Sequence, residues 1–366
     1  MKILYVTTIG GTMNFFKNFI KSLIDNGNTV DIATNEKGSK VADCYREWGC
    51  TVHPISCTRS PLNKGSIRAI GEIRDIVKDG GYEIVHCHTP VAAMCARLAC
   101  RKLRKDGVKV VYTAHGFHFY KGAPKKNWLL YYPIEKICSE YTDVLVTINQ
   151  EDYAFAKKKM KSKRVEYVPG VGIDLEKFSR TDVNRYEKRK ELGIPENATL
   201  LISVGELNKN KNHETVIRAV AELKNENIYY IIAGKGGLEG YLNGLIEEVG
   251  LTDRVKLLGY RNDIKELCAI SDVFVFPSFR EGLSVSVMEA MATGLPVVCS
   301  KIRGNTDLID GDGGKHFNPH SVAECKSAIE SVIAADINAL GEYNRKKVTN
   351  FSLAEVNRQM LDIYSI

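Results

Sequence analysis

Short apolar runs alternate with longer stretches of helical periodicity along this chain. In the first half, strand-sized apolar runs occur at residues 2–7, 29–33, 51–55, 84–86, 108–113, 144–148 and 165–168. Between the first two runs, apolar residues recur at the three- and four-residue spacing of a helix. Strands that alternate with helices form parallel sheets covered on both faces, so the pattern predicts an α/β fold.

The alternation breaks near residues 169–182 and then starts again. Further strand-sized runs follow at 200–204, 229–233, 255–258, 273–276 and 296–299. We therefore expect two α/β halves, 1–175 and 176–349, with a ligand held between them at the carboxyl ends of the strands. The segment 350–366 is amphipathic and is expected to form a terminal helix.

Composition narrows the class of protein. The chain has 366 residues, of which 44% are hydrophobic and 26% charged, as in a soluble globular protein. A net charge of +7 suits a polyanionic ligand or an anionic membrane surface without deciding between them. The ten cysteines include no Cys-x-x-Cys pair and no secretory signal precedes them, so we expect reduced thiols and a cytoplasmic protein.

The segment 276–298 carries the strongest chemical signal. A strand is predicted to end at its start, and a loop with Glu281 and Gly282 leads into a helix that opens near Ser284. Free amides and the dipole at a helix start favour a phosphate or a partly negative sugar oxygen. Glu289, one to two turns into that helix, can accept hydrogen bonds from two ribose hydroxyls. Taken alone, two acids eight positions apart are equally compatible with surface carboxylates.

This segment strongly resembles the donor-site signature of the family-4 retaining glycosyltransferases, which have the GT-B fold of two Rossmann-like domains. Three other segments match motifs of that family in the same order along the chain: His115-Gly116, Pro169–Phe178 and Gly205 to Lys211. The resemblance extends over nearly the whole chain. It implies an N-terminal acceptor-binding domain and a C-terminal nucleotide-sugar-binding domain, with the terminal helix in 350–366 packing back on the N-terminal domain.

The resemblance also implies roles for individual positions. Catalysis is assigned to Glu281, which contacts the transferred sugar, to Lys211, which neutralises the pyrophosphate, and to His115 near the reaction centre. Glu289 is implied to bind the ribose. Further contacts to the nucleotide-sugar are expected from Gly10, Gly11, Gly205, Gly234, Tyr260, Arg261, Gly282, Leu283 and Ser284. The acceptor is expected to contact Gly11 and His118.

One position departs from the family pattern. The family often places an arginine directly after the glycine of its phosphate loop, and this chain has Glu206 there. Because an acid cannot contact a pyrophosphate without penalty, we expect Lys211 to be the primary cation and Lys209 the secondary one. Arg280 is an alternative source of the missing charge, and Lys209 is equally compatible with a plain surface lysine.

The expected reaction moves a sugar from a nucleotide-sugar, preferably a UDP-sugar and alternatively a GDP-sugar, to a hydroxyl of a glycan. The resemblance implies retention of configuration, no cofactor and no metal. Asp310 and Asp312 are interpreted as a surface turn, and His86 and His88 as structural or cleft-lining residues, because no further zinc ligands follow at suitable spacing. A UDP-sugar 2-epimerase-like isomerase and a non-catalytic sugar-nucleotide binder remain as alternatives.

Basic residues cluster in the first half. The clusters are 157–164, the arginines and lysines between Arg97 and Lys105, and Lys121, Lys125 and Lys126 just before the apolar-aromatic stretch 128–132. Each alone is compatible with a solvated face. Together they favour peripheral binding to an anionic inner-leaflet surface, with a glycan acceptor carried on a polyprenyl pyrophosphate at the bacterial cell membrane. Nucleic acid is not expected, because no reading module is present.

Overall fold

The computed structural model describes residues 1–179 and 182–365. Arg180, Thr181 and Ile366 lie outside the described residues, so the expected junction near 170–180 and the expected C-terminal segment are each described only in part. The chain divides into two compact units. Unit 1 comprises Met1–Val171 and the segment that begins at Leu353, and unit 2 comprises Gly172–Ser352. The sequence placed these boundaries at 175 and 350.

Unit 1 contains a seven-stranded parallel sheet in the order β3-β2-β1-β4-β5-β6-β7. Its strands are β1 Lys2–Val6, β2 Thr29–Thr34, β3 Val52–Pro54, β4 Ile84–His88, β5 Lys109–Ala114, β6 Val144–Thr147 and β7 Arg164–Tyr167. Its α-helices are α1 Lys17–Asp25, α2 Cys44–Glu47, α3 Lys64–Gly80, α4 Pro90–Cys100, α5 Lys125–Ser139, α6 Gln150–Lys159 and the C-terminal helix Leu353–Tyr364. Two 3-10 helices span Gly10–Phe16 and Leu103–Asp106.

The central strands of this sheet are buried on both faces, which explains their continuous apolar sequences. One core cluster contains residues of α3, α4, α5 and α6. A second contains residues of α1 and the C-terminal helix. The parallel register pairs His88 at the end of β4 with Thr113 near the end of β5, so the polar residues that follow these strands meet at one edge.

The C-terminal helix packs on unit 1, as predicted. Val356, Met360, Ile363 and Tyr364 recur at helical spacing and are all buried there. The Tyr364 hydroxyl lies 2.8 Å from the Tyr5 hydroxyl of β1 and also makes a hydrogen bond with His86. The last helix of the chain is thereby joined to the first strand and to β4.

Unit 2 contains a six-stranded parallel sheet in the order β10-β9-β8-β11-β12-β13. Its strands are β8 Thr199–Val204, β9 Ile228–Ala233, β10 Val255–Leu257, β11 Val273–Phe276, β12 Val297–Ser300 and β13 Gly314–Phe317. Its helices are α7 Leu175–Ser179, α8 Arg185–Glu191, α9 His213–Leu223, α10 Glu239–Glu248, α11 Ile264–Ile270, α12 Val285–Thr293, α13 Asn305–Leu308, α14 Val322–Ile333 and α15 Ile337–Val348, with a 3-10 helix at Thr349–Phe351.

Every apolar run predicted to be a strand overlaps an observed strand. Strand β13 was not predicted. Its sequence Gly-Lys-His-Phe has one large apolar residue, and Gly314 is required because a Cβ there would lie 1.8 Å from the carbonyl oxygen of Val297 in β12. Within the part of the chain that the structure describes, no helix is long and apolar enough to cross a membrane. The ten cysteines are all free thiols, and nine are buried.

Candidate functional site

Three loops of unit 2 approach one another at the carboxyl ends of β8, β9 and β10. The amide of Gly205 donates to the Ala233 carbonyl at 3.0 Å, and the amide of Gly234 donates to the Gly259 carbonyl at 2.8 Å. A Cβ on Gly234 would lie 1.9 Å from the carbonyl oxygen of Gly205. Glycine is therefore needed at 234 so that these backbones can pack directly together.

The predicted catalytic residues Lys211 and Glu281 form an ion pair in unit 2. The Lys211 ammonium lies 2.8 Å from Oε1 of Glu281 and 4.7 Å from the centre of the Phe276 ring. Both side chains are largely shielded, with 21% and 16% of their surfaces exposed. A Cβ on Gly205 would lie 3.2 Å from Cδ of Lys211, so that glycine leaves room for the lysine. The structure thus places a cation and a carboxylate side by side at the end of β8 and β11.

Two asparagines hold the loop that carries Lys211 against the loop that carries Glu281. Asn210 accepts from the Phe279 amide at 2.8 Å and donates through its side chain to the Arg280 carbonyl at 3.0 Å. Asn212 has a φ of +55° and donates to the Pro277 carbonyl at 3.0 Å. Sequence reasoning missed these residues. In the sequence, these two residues are marked only by the asparagines at every second position of a lysine-rich loop. That pattern does not indicate which backbone carbonyls they contact.

Glu206 and Lys209 are both exposed. Lys209 lies at a pocket of about 460 Å³ whose lining includes Asn208, His213 and Tyr241. No hydrogen bond or ion pair between described residues joins Lys209 to the Lys211–Glu281 pair. The role of Lys209 as a second pyrophosphate cation therefore stays a prediction.

Helix α12 begins where the sequence placed it. Ser284 is its N-cap, and the Ser284 hydroxyl accepts from the Val287 amide at 3.4 Å. Gly282 and Leu283 form the loop just before the cap. The first amides of a helix have no acceptor within the helix, so those of Val285 and Ser286, which the Ser284 hydroxyl does not cap, are available to a negative ligand next to Glu281.

Glu289 lies in the second turn of α12. Its carboxylate accepts no hydrogen bond from any described residue. Burial raises the pKa of Glu289 to about 7, and Lys177 opposes part of that rise. A half-buried carboxylate without protein donors is stabilised in its ionised form when a ligand supplies hydroxyl groups, as a ribose would.

The predicted base-reading residues follow β10. Tyr260 is 70% exposed. The Arg261 guanidinium makes two hydrogen bonds to Asp263, at 2.7 and 2.5 Å, and Lys188 also contacts Asp263 at 2.9 Å. These contacts leave Tyr260 as the more available of the two side chains for a nucleotide base.

Unit 1 contains a cluster of three histidines, of which His86 and His88 are buried and His115 is half-buried. His86 bonds through Nδ1 to the Tyr364 hydroxyl at 2.5 Å and through Nε2 to the Thr113 hydroxyl at 2.8 Å. His88 Nδ1 lies 3.1 Å from His115 Nε2. Burial lowers the pKa of His86 to about 3 and of His115 to about 4, and lowers that of His88 as well. All three imidazoles are therefore neutral near pH 7, which suits hydrogen bonding to a sugar hydroxyl rather than neutralising an anion.

His115 and His88 line a pocket that is otherwise mainly apolar. Its apolar lining includes Phe15, Phe16, Phe19, Val171 and Met360. The ring of His118, the predicted acceptor residue, lies against Tyr131 of α5, with ring centres 4.6 Å apart, and its contact with an acceptor stays a prediction. Sequence reasoning did not foresee the pairing of His88 with His115, which depends on the register of β4 and β5.

Gly10 has a structural explanation that Gly11 lacks. Both glycines open the 3-10 helix Gly10–Phe16, and a Cβ on Gly10 would lie 2.5 Å from the Ser39 carbonyl oxygen. Close approach of this backbone therefore requires glycine at 10, whereas a Cβ on Gly11 would meet only the rotatable side chain of Ser39. Their predicted contacts with the donor phosphates and the acceptor stay predictions.

Comparisons with known proteins identify the family of this chain. Residues 2–149 match the family described as glycosyl transferase 4-like, and residues 184–347 match glycosyl transferases group 1. EpsD of Bacillus subtilis strain 168, which is named as a glycosyltransferase, is 39% identical over 85% of this chain and 84% of its own length. This chain belongs to the family-4 glycosyltransferases.

Other similar proteins extend the comparison to donor, acceptor and fold. An Escherichia coli galactosyltransferase, named for UDP-Gal and for GlcNAc-diphosphoundecaprenol, is 29% identical over 85% of this glycosyltransferase and 82% of its own length. HepE of Anabaena, solved with UDP, superimposes with a TM-score of 0.82 at 20% identity, with both chains fully covered. WaaG superimposes with a TM-score of 0.74 at 20% identity, covering 99% of each chain. The fold of this glycosyltransferase is therefore GT-B.

A further segment of the glycosyltransferase contacts the loop that carries Glu281. After β12, Nε of the buried Arg303 donates to the Glu281 carbonyl at 3.3 Å. A Cβ on Gly304, whose φ is +78°, would lie 2.3 Å from the Gly282 carbonyl oxygen. Sequence reasoning missed this Arg-Gly pair, because its contacts are with backbone atoms some 20 positions earlier in the chain.

The residues considered for a metal have other partners. Asp310 accepts hydrogen bonds from the Tyr343 hydroxyl at 2.8 Å and from Lys347 at 2.7 Å. His86 is held by Tyr364 and Thr113 as described above. Within residues 1–179 and 182–365, no group of three or more histidine, cysteine or acidic side chains is arranged to hold a metal ion.

Proposed function

We propose that this glycosyltransferase moves a sugar from a UDP-sugar to a hydroxyl of a lipid-linked glycan during synthesis of a bacterial surface polysaccharide. The observation that carries the proposal is the shielded Lys211–Glu281 pair at the start of α12, with Glu289 one to two turns beyond. The UDP complex of HepE and the names of the Escherichia coli and Bacillus subtilis relatives support the donor and acceptor classes.

Unit 2 is proposed to bind the donor. The pyrophosphate takes the Lys211 ammonium from Glu281, and the amides that begin α12 bind the phosphate or sugar oxygens. Glu281, released from its ion pair, accepts hydrogen bonds from hydroxyls of the transferred sugar. Negative charge grows on the leaving UDP as the glycosidic bond breaks, and a lysine already fixed in place stabilises that charge without reorganisation.

Glu289 is proposed to bind the ribose, and Tyr260 the base. The two ribose hydroxyls donate to the half-buried Glu289 carboxylate, which accepts no hydrogen bond from the described residues. The exposed Tyr260 ring offers a surface for the uracil. UDP is preferred to GDP because both the HepE complexes and the named galactosyltransferase involve uridine nucleotides.

Unit 1 is proposed to bind the acceptor. The pocket at His115 combines neutral imidazoles with aromatic side chains, a lining that suits a sugar, which presents both hydroxyls and apolar C–H faces. We propose that the transfer retains anomeric configuration by a front-face route in which the leaving phosphate accepts the acceptor proton. The proposal invokes no metal and no further cofactor.

We further propose that the enzyme works as a peripheral protein on the inner face of the bacterial membrane, where a polyprenyl-pyrophosphate-linked acceptor would lie. The named acceptor of the Escherichia coli relative supports this location. The isomerase and non-catalytic alternatives lose support because the similar proteins are named as transferases.

Calorimetric titration of UDP, GDP and ADP tests the donor assignment. We expect UDP to bind most tightly, and Lys211→Ala to weaken UDP binding by at least tenfold because the pyrophosphate loses its cation. Lys346→Ala is the matched control, since it removes an exposed lysine of the same unit, on α15. Absence of binding by all three nucleotides, or equal effects of the two substitutions, would contradict the proposal.

A further inference from the structure

Helix α5 has an apolar stripe on its outward side. Leu129, Leu130, Pro133 and Ile137 recur at helical spacing and are all exposed. Leu129 is 79% exposed and Ile137 is 57% exposed. The outward side of a surface helix is normally polar, so this pattern is inverted.

The opposite side of α5 shows that this orientation is fixed. Trp128 and Tyr132 pack against the core of unit 1 together with Cys138. Glu135 is buried and forms an ion pair with Arg97 at 2.8 Å, with Arg97 only 1% exposed. The helix therefore cannot turn its apolar stripe inward without breaking a buried ion pair, which is costly.

The charge around the stripe is positive. Lys121, Lys125 and Lys126 are exposed at the start of α5, and Lys136 lies one turn from its end. The only acid within α5 is Glu135, which is buried. Within the described chain, no ion pair neutralises the three lysines at the start.

The other basic clusters seen in the sequence are partly neutralised. Arg97 is buried against Glu135, as described above, and does not contribute to a surface. Arg104 and Lys163 both pair with Asp143 at 2.8 Å. Lys161 pairs with Glu140. Lysines 121, 125 and 126 are thus the cluster that combines unneutralised charge with an exposed apolar stripe.

We propose that the stripe Leu129–Leu130–Pro133–Ile137 of α5 docks on an anionic lipid bilayer, with the adjacent lysines contacting the headgroups. Apolar side chains flanked by lysines are the combination that binds a helix in the interfacial plane of such a membrane. The proposal rests on the proposed function, because a lipid-linked acceptor requires the enzyme to work at a membrane. It deepens that function by naming the surface that contacts the lipid.

Vesicle flotation with the full-length protein tests this surface. The probes are phosphatidylglycerol-containing vesicles and pure phosphatidylcholine vesicles. We expect the wild type to float with the anionic vesicles, and the double variant Leu129→Glu, Ile137→Glu to bind them at least tenfold more weakly. Leu62→Glu, at a leucine of unit 1 that is 77% exposed but outside α5, is the matched control and should bind as the wild type does.

A second variant tests the charges. Lys125→Gln with Lys126→Gln should weaken binding to anionic vesicles by about fivefold for each lysine, and should reduce its dependence on salt concentration. Leu129, Ile137, Lys125 and Lys126 are all exposed, so the thermal unfolding of both double variants should match that of the wild type.

Several results would overturn the proposal. These are failure of the wild type to bind anionic vesicles, unchanged binding by the α5 variants, and an equal loss in Leu62→Glu. A dimer in sedimentation that dissociates only in the Leu129, Ile137 variant would identify a second copy of the chain as the occupant instead. The affinity for UDP is measured for the wild type and for each variant. If the wild type did not bind UDP, the proposed function would be contradicted, and flotation alone would then decide whether α5 docks on the bilayer.

Discussion

Donor binding should depend on pH through Glu289. The pKa of this carboxyl is raised to about 7 by burial, so near pH 7 about half of the free enzyme carries it protonated. Ribose hydroxyls donate hydrogen bonds to the ionised form, so the bound state favours the carboxylate. Binding should therefore release a proton and strengthen as pH rises.

The magnitude follows from the ionised fraction. With a pKa of about 7, the carboxyl is about one-tenth ionised at pH 6 and about nine-tenths ionised at pH 8. If only the ionised form binds well, the Kd falls about tenfold between these pH values. The sign is the reverse of that for a histidine contacting a phosphate, whose binding would weaken as pH rises.

Calorimetry with UDP-glucose measures this effect. UDP-glucose is preferred to UDP because its pyrophosphate has no terminal phosphate that titrates near pH 7. Titrations in buffers of different ionisation enthalpy give the number of protons released, and we expect about half a proton at pH 7. Glu289→Gln is the control, since an amide does not titrate: its Kd should be independent of pH in this range.

The reasoning fails if the Kd of the wild type is constant from pH 6 to pH 8 and no protons are released. It also fails if Glu289→Gln shows the same pH dependence as the wild type, because another group would then be responsible. Either result would remove Glu289 from the ribose site.

Three further outcomes follow from the contacts. Lys211→Ala should lower kcat by about 10²- to 10³-fold with the fold intact, measured by UDP release, since charge on the leaving group loses its fixed cation. Arg303→Ala should lower kcat, because the loop that carries Glu281 loses its hydrogen bond from Arg303 and is displaced. Arg303→Lys keeps the charge but has a single donor nitrogen, so it should restore activity only in part. Equal activity of the wild type and Arg303→Ala would refute the role of Arg303 in supporting this loop. Tyr364→Phe should reduce stability by about 1–2 kcal/mol in denaturant unfolding, because its hydroxyl bonds to His86 and to Tyr5 are lost; an unchanged midpoint would contradict this.

Most of the fold could be predicted from the sequence, because parallel strands that are buried on both faces consist of continuous apolar runs. Strand β13 was not predicted, because Gly314 has no side chain to contribute to an apolar run. Glycine is required there by close packing on the backbone of Val297. The amphipathic pattern predicted the C-terminal helix, and the resemblance to GT-B glycosyltransferases implied its return to unit 1. The hydrogen bond between Tyr364 of this helix and His86 could not be predicted, because the two residues lie 278 positions apart in the sequence.

The candidate site was predicted unevenly for a similar reason. Lys211 and Glu281 belong to recognisable motifs, and the structure brings them together at 2.8 Å. Asn210 and Arg303 make hydrogen bonds to backbone groups of the loop that carries Glu281. Such contacts leave no pattern in the sequence, because any residue type supplies the backbone partner. The sequence also did not indicate that the His118 ring lies against Tyr131, and the role of His118 in binding the acceptor stays a prediction.

Product analysis tests the central claim most directly. The enzyme is incubated with a panel of UDP-sugars and polyprenyl-pyrophosphate-linked glycans, and the products are separated and identified by mass and by the anomeric signals in NMR. We predict that one UDP-sugar yields UDP together with a lipid-linked glycan longer by one sugar, with anomeric configuration retained. UDP and a free epimerised sugar formed without any acceptor, or no turnover with any pair by a protein that binds UDP, would contradict it.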